Sequence, residues 1–180
     1  MSVPDPKGLL DRSDIICSAD EVQSAISQMA FQINQAMTSP QPPLVLCVMG
    51  GAVFFAGQLL PRLNFPLEFD YVQVSRYHNQ TEGKQLIWKV MPGENVKGRT
   101  VLVLDDILDQ GHTLKAIKEK CLQLGASKVL IAVLVDKALA INKPISADFT
   151  GLTVPDRYVF GCGMDVYGWW RNLPAIHALQ

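Results

Sequence analysis

The chain contains three aliphatic runs in which no polar residue alternates with the apolar ones. They cover residues 44–49, 101–104 and 128–135, and the first two lead through short turns into apolar residues at helical spacing. Strands that are covered on both faces have this pattern, as in a parallel sheet with helices packed against it. The hydrophobic pattern therefore predicts an α/β domain built on a buried, mostly parallel sheet.

Three helices are predicted around these strands. The capping-box sequence Ser-Ala-Asp-Glu precedes apolar residues at helical spacing, so residues 19–37 should form an amphipathic helix. Residues 53–60 should form a second helix, which a proline ends. A third should start at the Gly-His-Thr of residues 111–113 and end at Gly125.

The remaining segments have weaker patterns. Residues 67–75 alternate loosely and residues 85–91 return as a partner strand near a sheet edge. The polar loop 76–84 between them is either a plain hairpin tip or a mobile lid. Residues 1–14 should form a loosely ordered arm, and the glycine-rich and aromatic part of residues 150–180 should cover one end of the sheet.

Two aspartates, Asp105 and Asp106, follow the central aliphatic run directly. Ligands of open α/β sheets bind at the carboxyl ends of strands, where these carboxylates should lie. The helix start at residues 111–113 offers backbone N–H groups, a hydroxyl and a positive dipole end, which favour an anion. Because carboxylates repel a bare phosphate, the pattern favours a phosphorylated ribose bound with Mg²⁺. A solvated loop or a helix cap is the alternative interpretation of the acidic pair.

The first strand leads into two glycines, Gly50 and Gly51. Either they let backbone N–H groups approach a phosphate, or they only allow a tight turn between strand and helix. The sequence leaves this choice open.

Composition and charge narrow the class of partner. The 180 residues suit a single domain, and 16 Lys and Arg against 17 Asp and Glu provide no basic field for nucleic acid or an anionic membrane. A small-molecule partner is expected. No apolar run suits a membrane span and the chain start lacks the pattern of a signal peptide, so a cytoplasmic location is expected. The four widely spaced cysteines should be reduced core thiols rather than a disulfide framework or a zinc site.

Four motifs, taken in order, resemble those of one enzyme family. They are the glycine pair at 50–51, VLVLDDILDQGHT at 101–113, Asp-Lys at 136–137, and PDRYV at 155–159 leading through Asp165 to WRNL at 170–173. The second resembles the phosphoribosyl pyrophosphate signature of the type I phosphoribosyltransferases. The whole chain is similar to the hypoxanthine-guanine branch of that family, over roughly residues 15 to 175.

The resemblance implies the type I phosphoribosyltransferase fold, in which helices flank a central, mostly parallel twisted sheet and the N- and C-terminal segments form a small hood. It implies transfer of 5-phosphoribose from phosphoribosyl pyrophosphate to N9 of a 6-oxopurine, which yields IMP or GMP and pyrophosphate in purine salvage. Mg²⁺ would be the cofactor, and a homodimer or homotetramer the assembly. Within the single domain 1–180, residues 76–84 would be a mobile active-site loop and residues 150–180 the hood and purine-binding segment.

The resemblance also implies roles for the signature residues. Asp109 would be the general base that takes the proton from purine N7, although a helix N-cap is its local alternative. Asp105 and Asp106 would bind the ribose hydroxyls and, with Asp165, the Mg²⁺. The residues implied in binding the 5-phosphate and the pyrophosphate are Gln110, Gly111, His112, Thr113, Gly50, Gly51 and Arg171. A surface ion pair is the alternative for Asp165 and Arg171.

The resemblance assigns selection of the purine mainly to residues that follow the signature in the chain. The ammonium of Lys137 has only donors, so it would bind a 6-oxo group and oppose the 6-amino group of adenine. A solvated lysine at a strand end is its alternative. Tyr158 would stack on the purine with Ile107 beneath, and the carbonyl of Val159 would bind the purine edge; for Tyr158 a core aromatic is the alternative.

The loop 76–84 would close over the transition state, with Arg76 and Tyr77 as its functional residues. Two residues depart from the family pattern. Met49 stands where many relatives carry a lysine, and His112 replaces a lysine or small polar residue, which could make phosphate affinity depend on pH. A cis peptide near Gly50, frequent in the family, is a hypothesis for this chain.

Two other functions match parts of the pattern. A regulator with the same fold would bind phosphoribosyl pyrophosphate or nucleotide without catalysis, but retention of Asp109, Lys137 and Asp165 argues against it. A receiver-like phosphoacceptor also carries acids and a lysine at strand ends. In this chain, however, the acidic pair follows several strands, which does not fit a receiver. A receiver also lacks a role for a Gly-His-Thr phosphate loop.

Overall fold

The computed structural model describes residues 5–39, 41–76 and 86–180, without the side chain of Arg76. The predicted loop residues from Tyr77 to Lys84 lie outside this part of the chain. In chain order the helices and strands are α1 (Pro6–Asp11), β1 (Ser13–Cys17), α2 (Ala19–Ala36), β2 (Leu44–Met49), α3 (Val53–Leu59), β3 (Glu68–Arg76), β4 (Leu86–Val90), β5 (Thr100–Leu108), α4 (His112–Gln123), β6 (Lys128–Ala138), β7 (Phe149–Pro155), β8 (Val159–Phe160) and β9 (Ile176–Leu179).

A six-stranded sheet in the order β4, β3, β2, β5, β6, β7 forms the centre of the fold. All neighbours pair in parallel except β3 and β4, which are antiparallel at one edge. The aliphatic runs in β2, β5 and β6 are buried on both faces. The predicted α/β class and the mostly parallel sheet are therefore confirmed.

Helix α2 begins at the predicted capping box. Ser18 Oγ accepts from Glu21 N, and Glu21 Oε2 accepts from Ser18 N, so the capping box satisfies two backbone donors at the helix start. The buried stripe of α2 faces the sheet, where a Cβ on Gly151 of β7 would lie 3.0 Å from Met29 Cε. The helix thus covers one face of the sheet near β7.

A separate three-stranded sheet in the order β1, β9, β8 forms the predicted hood from the two ends of the chain. The expectation of a loosely ordered arm is wrong for residues 5–14, which form α1 and the start of β1. Trp170 Nε1 donates to Pro6 O at 2.7 Å, and Arg157 Nη2 forms an ion pair with Asp14 at 2.6 Å. These partners lie about 150 residues away along the chain, so local sequence does not reveal them.

The strands that carry the acidic and basic motifs are longer than predicted. Strand β5 continues through both aspartates to Leu108, which pairs with Asp136 of β6. Strand β6 continues through Lys137, which pairs with Val154 of β7. Hydrogen bonding between neighbouring strands therefore extends β5 and β6 beyond the end of their hydrophobic pattern.

All four cysteines are buried thiols, as predicted. Burial raises the pKa of Cys47 and Cys121 to about 11 and that of Cys162 to about 12. None of the helices in residues 5–39, 41–76 and 86–180 has the length and apolar character needed to cross a membrane.

Candidate active site

The carboxyl ends of β2 and β5 and the start of α4 line a cavity of about 330 Å³. Loops and helix starts converge at this edge of a parallel sheet, which is where such folds bind ligands. The predicted site residues that line it are Gly50, Gly51, Asp105, Asp106, Ile107, Asp109, Gly111, Thr113 and Arg171. The fold thus brings the glycine pair, the acidic pair and the helix start into one cavity.

The carboxylate of Asp106 lies directly against the glycine pair. A Cβ atom on Gly51 would lie 1.9 Å from Asp106 Oδ2, well inside van der Waals contact. The backbone N–H of Asp106 donates to Asp105 Oδ1 at 3.0 Å, and burial raises the pKa of Asp106 above its usual value. Gly51 therefore provides the space that this carboxylate occupies, which is a steric requirement that neither interpretation of the glycine turn included.

A glycine that sequence analysis did not single out, Gly163, packs on the other side of the turn. Its φ of +104° lies in the left-handed region, and a Cβ there would lie 1.9 Å from Gly51 O. Its only sequence signal was its place in the Gly-Cys-Gly of the tail. The Met49–Gly50 peptide bond, immediately before the turn, is cis, as hypothesised.

Helix α4 begins at His112, one residue later than Gly111, whose φ of +82° turns the chain away from β5. Gly111 is the N-cap residue, so the alternative interpretation of Asp109 as an N-cap is wrong. A helix start presents backbone N–H groups and a positive dipole end to an anion. Gly111 and Thr113 line the cavity, whereas Gln110 and His112 do not belong to its lining and His112 is exposed.

A second cavity, of about 210 Å³, adjoins the first. Three residues, Asp106, Ile107 and Asp109, line both cavities. The other residues that line the second cavity are Lys137, Tyr158, Val159, Met164 and Asp165. The predicted purine-binding residues therefore lie together, and among them Met164 was not predicted.

Asp109 and Lys137 face each other across the second cavity. Lys137 Nζ lies 3.5 Å from Asp109 Oδ1, and the lysine side chain is only 14% exposed. The interpretation of Lys137 as a solvated surface lysine is therefore wrong. Tyr158 is 54% exposed, so it is not a core aromatic either.

Asp165 and Arg171 form the ion pair that was the alternative to their predicted roles. Arg171 Nη2 lies 2.5 Å from Asp165 Oδ1, and Arg171 Nη1 donates to Gly163 O at 2.6 Å. The pair nevertheless spans the site, because Arg171 lines the first cavity and Asp165 the second. Tyr158 also contacts it, since its hydroxyl donates to Asp165 O at 3.3 Å.

The three aspartates assigned to Mg²⁺ do not form one preformed cluster. Within residues 5–39, 41–76 and 86–180, no group of three or more His, Cys, Asp or Glu side chains is arranged to hold a metal ion. Mg²⁺ is commonly bound through one or two carboxylates together with substrate phosphates. The carboxylate oxygens of Asp105 and Asp106 lie at the first cavity, beside the helix start that favours an anion. This arrangement fits Mg²⁺ bound partly by a phosphorylated ligand better than a site made of protein groups alone.

The chain is similar to known proteins over nearly its whole length. A family model for the phosphoribosyl transferase domain matches residues 18–168. A hypoxanthine-guanine phosphoribosyltransferase of Streptococcus pneumoniae is 33% identical over 171 residues, 94% of each chain. A hypoxanthine-guanine-xanthine phosphoribosyltransferase of Tritrichomonas foetus is 33% identical over 174 residues, 94% of this chain and 93% of the relative. The crystal structure of a hypoxanthine phosphoribosyltransferase from Staphylococcus aureus matches with a TM-score of 0.87 at 26% identity, covering 98% of this chain and 97% of that one.

Proposed function

Since the chain belongs to the phosphoribosyltransferase family, we propose that it transfers 5-phosphoribose from phosphoribosyl pyrophosphate to N9 of a 6-oxopurine. The products would be IMP or GMP and pyrophosphate, in purine salvage. The observation that carries the proposal is the position of Asp109, which lines both cavities. A base at this junction would reach a purine that occupies one cavity while the phosphoribosyl group occupies the other.

The first cavity would hold the phosphoribosyl group and the pyrophosphate. The start of α4, with Gln110, Gly111, His112 and Thr113, would bind the 5-phosphate through backbone N–H groups and the helix dipole. Asp105 and Asp106 would accept from the ribose hydroxyls. Gly50, Gly51 and Arg171 would bind the pyrophosphate, for which Arg171 must exchange Asp165 for phosphate oxygens.

In the proposed reaction the electron pair of purine N9 forms the bond to C1′. The bond from C1′ to the pyrophosphate oxygen breaks, and its electrons leave with pyrophosphate. The proton on N7 passes to the carboxylate of Asp109, which must first separate from Lys137. General base help of this kind contributes about 10² to 10⁴ in rate.

The second cavity would select the base. Lys137 would transfer its donor from Asp109 to the 6-oxo group of the purine, so one movement would both bind the oxopurine and release the general base. Adenine offers a donor at the same position and would leave the ammonium unpaired. Tyr158 and Ile107 would stack on the two faces of the ring, and the carbonyl of Val159 would accept from its edge.

The proposed cofactor is Mg²⁺, held by Asp105 and Asp106 together with oxygens of phosphoribosyl pyrophosphate. When bound, the ion would offset the charge that develops on the departing pyrophosphate. Asp165 would contribute through water, and its ion pair with Arg171 supports an indirect role rather than direct ligation.

The protein is further proposed to act in the cytoplasm as a homodimer or homotetramer. Its free thiols suit a reducing compartment. Phe69 and Tyr71 lie on one face of β3 and are 52% and 43% exposed, which supports a contact between copies. Light scattering at several protein concentrations tests the assembly.

One assay tests the proposed reaction. The protein is mixed with Mg²⁺, phosphoribosyl pyrophosphate and each of hypoxanthine, guanine, xanthine and adenine in turn, and nucleotide is measured by chromatography. Nucleotide is expected with hypoxanthine or guanine and not with adenine, and omission of Mg²⁺ should abolish it. Absence of product with every base, alongside measurable binding of phosphoribosyl pyrophosphate, would instead favour a regulator.

A further inference from the structure

The connector after β6 contains a lysine, Lys143, whose ammonium uses all three of its donors. Lys143 Nζ donates to Leu108 O at 2.8 Å, to Lys137 O at 2.6 Å and to Asp136 Oδ1 at 2.5 Å. Its side chain is only 13% exposed. An ammonium has three donors and no acceptor, so these contacts satisfy it completely.

The three acceptors belong to the two strand ends that carry the proposed base and the proposed purine selector. Leu108 is the last residue of β5 and immediately precedes Asp109, while Asp136 and Lys137 are consecutive residues of β6. Beyond the last pairing of β5 with β6, Leu108 with Asp136, the contacts of Lys143 continue to join the two segments. They do so at the point where Asp109 and Lys137 face each other at 3.5 Å.

The two residues after Lys143 contact the phosphate loop. A Cβ on Gly111 would lie 3.0 Å from Ile145 Cγ2 and 3.5 Å from Pro144 Cδ, so these side chains pack directly behind the start of α4. The connector therefore touches all three chain segments that the proposed site takes from β5, β6 and α4.

We propose that Lys143 is a positioning residue that fixes the backbone beside Asp109 and Lys137 and so places both side chains for the reaction. This inference rests on the proposed function, because it concerns the same reaction. Lys143 does not line either cavity and acts through the backbone of its neighbours. Its charge also balances the carboxylate of Asp136, whose strand partner Leu108 precedes Asp109.

Removal of the ammonium would leave a carboxylate and two carbonyl groups without this donor. Groups left without a partner draw in water or move toward other donors, and either change displaces the ends of β5 and β6. A displacement of about 1 Å at a catalytic group lowers reaction rates by about 10²-fold. The 5-phosphate site should change less, since Pro144 and Ile145 remain in contact with Gly111.

The test compares Lys143→Met with Lys128→Met, which removes an exposed lysine at the start of β6, at the opposite end of that strand from Lys137. For Lys143→Met we expect kcat/KM for hypoxanthine to fall by about 10- to 100-fold, with Kd for phosphoribosyl pyrophosphate within about twofold of the parent. Lys128→Met should match the parent in both quantities. Lys143→Arg, which keeps a cation and several donors, should recover most of the lost activity.

Thermal melting is measured for each variant, because Lys143→Met could fail to fold. In that case Asp136→Asn carries the test, since it weakens the contact and leaves Lys143 in place. Asp136→Asn should lower kcat/KM for hypoxanthine in the same direction by a smaller factor, again with little change in Kd for phosphoribosyl pyrophosphate.

The inference is overturned if folded Lys143→Met equals Lys128→Met in hypoxanthine kinetics, or if it loses substrate affinity and activity in parallel, as a merely structural residue would. It is also overturned if Lys143→Met unfolds while Asp136→Asn keeps parental kinetics. A parent that makes no nucleotide refutes the proposed function, whereas an active parent with unaffected variants refutes only the role of Lys143.

Discussion

The two cavities of the site are built in different ways. The first is lined by residues at the carboxyl ends of β2 and β5 and at the start of α4, together with Arg171, and it includes three glycines, Gly50, Gly51 and Gly111. The second combines β5, the end of β6 and the hood, and the described residues that line it include no glycine. The first cavity is thus built mostly from two stretches with glycine turns, whereas the second takes its side chains from three separate parts of the chain.

In the proposed function the two cavities bind different parts of the substrates. Phosphate groups are similar in every substrate, so a rigid set of backbone donors is sufficient for them. The purine must be distinguished from close analogues, which requires side chains whose donors match one base and not another. Four charged side chains of the site are held in two ion pairs, Asp109 with Lys137 and Asp165 with Arg171. The proposed substrates would have to replace these partners when they bind.

The largest effect is expected at Asp109, one of the three residues that line both cavities. Asp109→Ala should lower kcat by about 10² to 10⁴, because it removes the proposed general base. Binding of phosphoribosyl pyrophosphate should change little. Steady-state kinetics and calorimetric titration measure the two quantities, with exposed Glu119→Ala as the control. A near-normal kcat would contradict the assignment of Asp109.

Gly51→Ala tests the first cavity. The added Cβ would meet Asp106 Oδ2 at 1.9 Å and displace that carboxylate, so kcat/KM should fall by about 10²-fold. Gly57→Ala is the matched control, because no described atom lies within 4 Å of a Cβ there and alanine favours its helix α3 by about 0.5–1 kcal/mol. If Gly51→Ala kept parental affinity for phosphoribosyl pyrophosphate, the steric role of this glycine would be wrong.

Lys137→Ala tests the second cavity. Loss of a hydrogen bond to a charged group costs about 1.5–3 kcal/mol, so kcat/KM for hypoxanthine should fall about 10- to 100-fold. Discrimination against adenine should weaken as well, since the ammonium no longer opposes the 6-amino group. Competition assays with both bases measure this ratio. An unchanged ratio would mean that Lys137 does not select the base and that the backbone carbonyls do.

The smallest effect is expected for Asp106→Asn, and it concerns stability. Whether the substitution stabilises or destabilises the fold follows from the raised pKa of Asp106. Burial raises the folded-state pKa of Asp106 above its ordinary value of 3.8, so the folded protein binds more protons than the unfolded chain between these two values. Stability contributed by this group therefore falls as pH rises through that window, and the ionised carboxylate is destabilising at pH 7.

Melting curves of the parent and Asp106→Asn between about pH 4 and pH 7 measure this difference. The variant should melt at the higher temperature at pH 7, and the difference should shrink as pH falls toward the ordinary value of a carboxyl group. Its affinity for phosphoribosyl pyrophosphate should fall at every pH. A variant that melts lower at pH 7 would mean that the contacts of Asp106 outweigh the cost of its burial.

Much of the fold was predictable because its strongest signals are local. The buried strands β2 and β5 appear as continuous aliphatic runs, and the start of α2 appears as a capping box. The first cavity follows from the same information, since Gly51, Asp105 and Thr113 lie next to these elements in sequence.

Less of the second cavity was predictable from residue patterns alone. Lys137 and Tyr158 gained their assignments only from the family resemblance, because a strand-end lysine or a surface tyrosine has no distinctive pattern by itself. Gly163 and Lys143 were missed altogether. Each acts through a contact with backbone, to Gly51 O and to Leu108 O respectively, and such contacts depend on distance in space rather than on spacing in sequence.

The sequence by itself therefore determined the class of fold and the central strands, and it placed the acidic pair at the edge of the sheet. Hydrophobic periodicity reports whether a local segment is buried, and it can be recognised within about 11–18 residues. Tertiary structure alone decided that the chain start joins the hood, that Gly51 is required beside Asp106, and that Asp109 faces Lys137. These contacts join strands and loops far apart in sequence, and only the packing of the sheet and the hood brings them together.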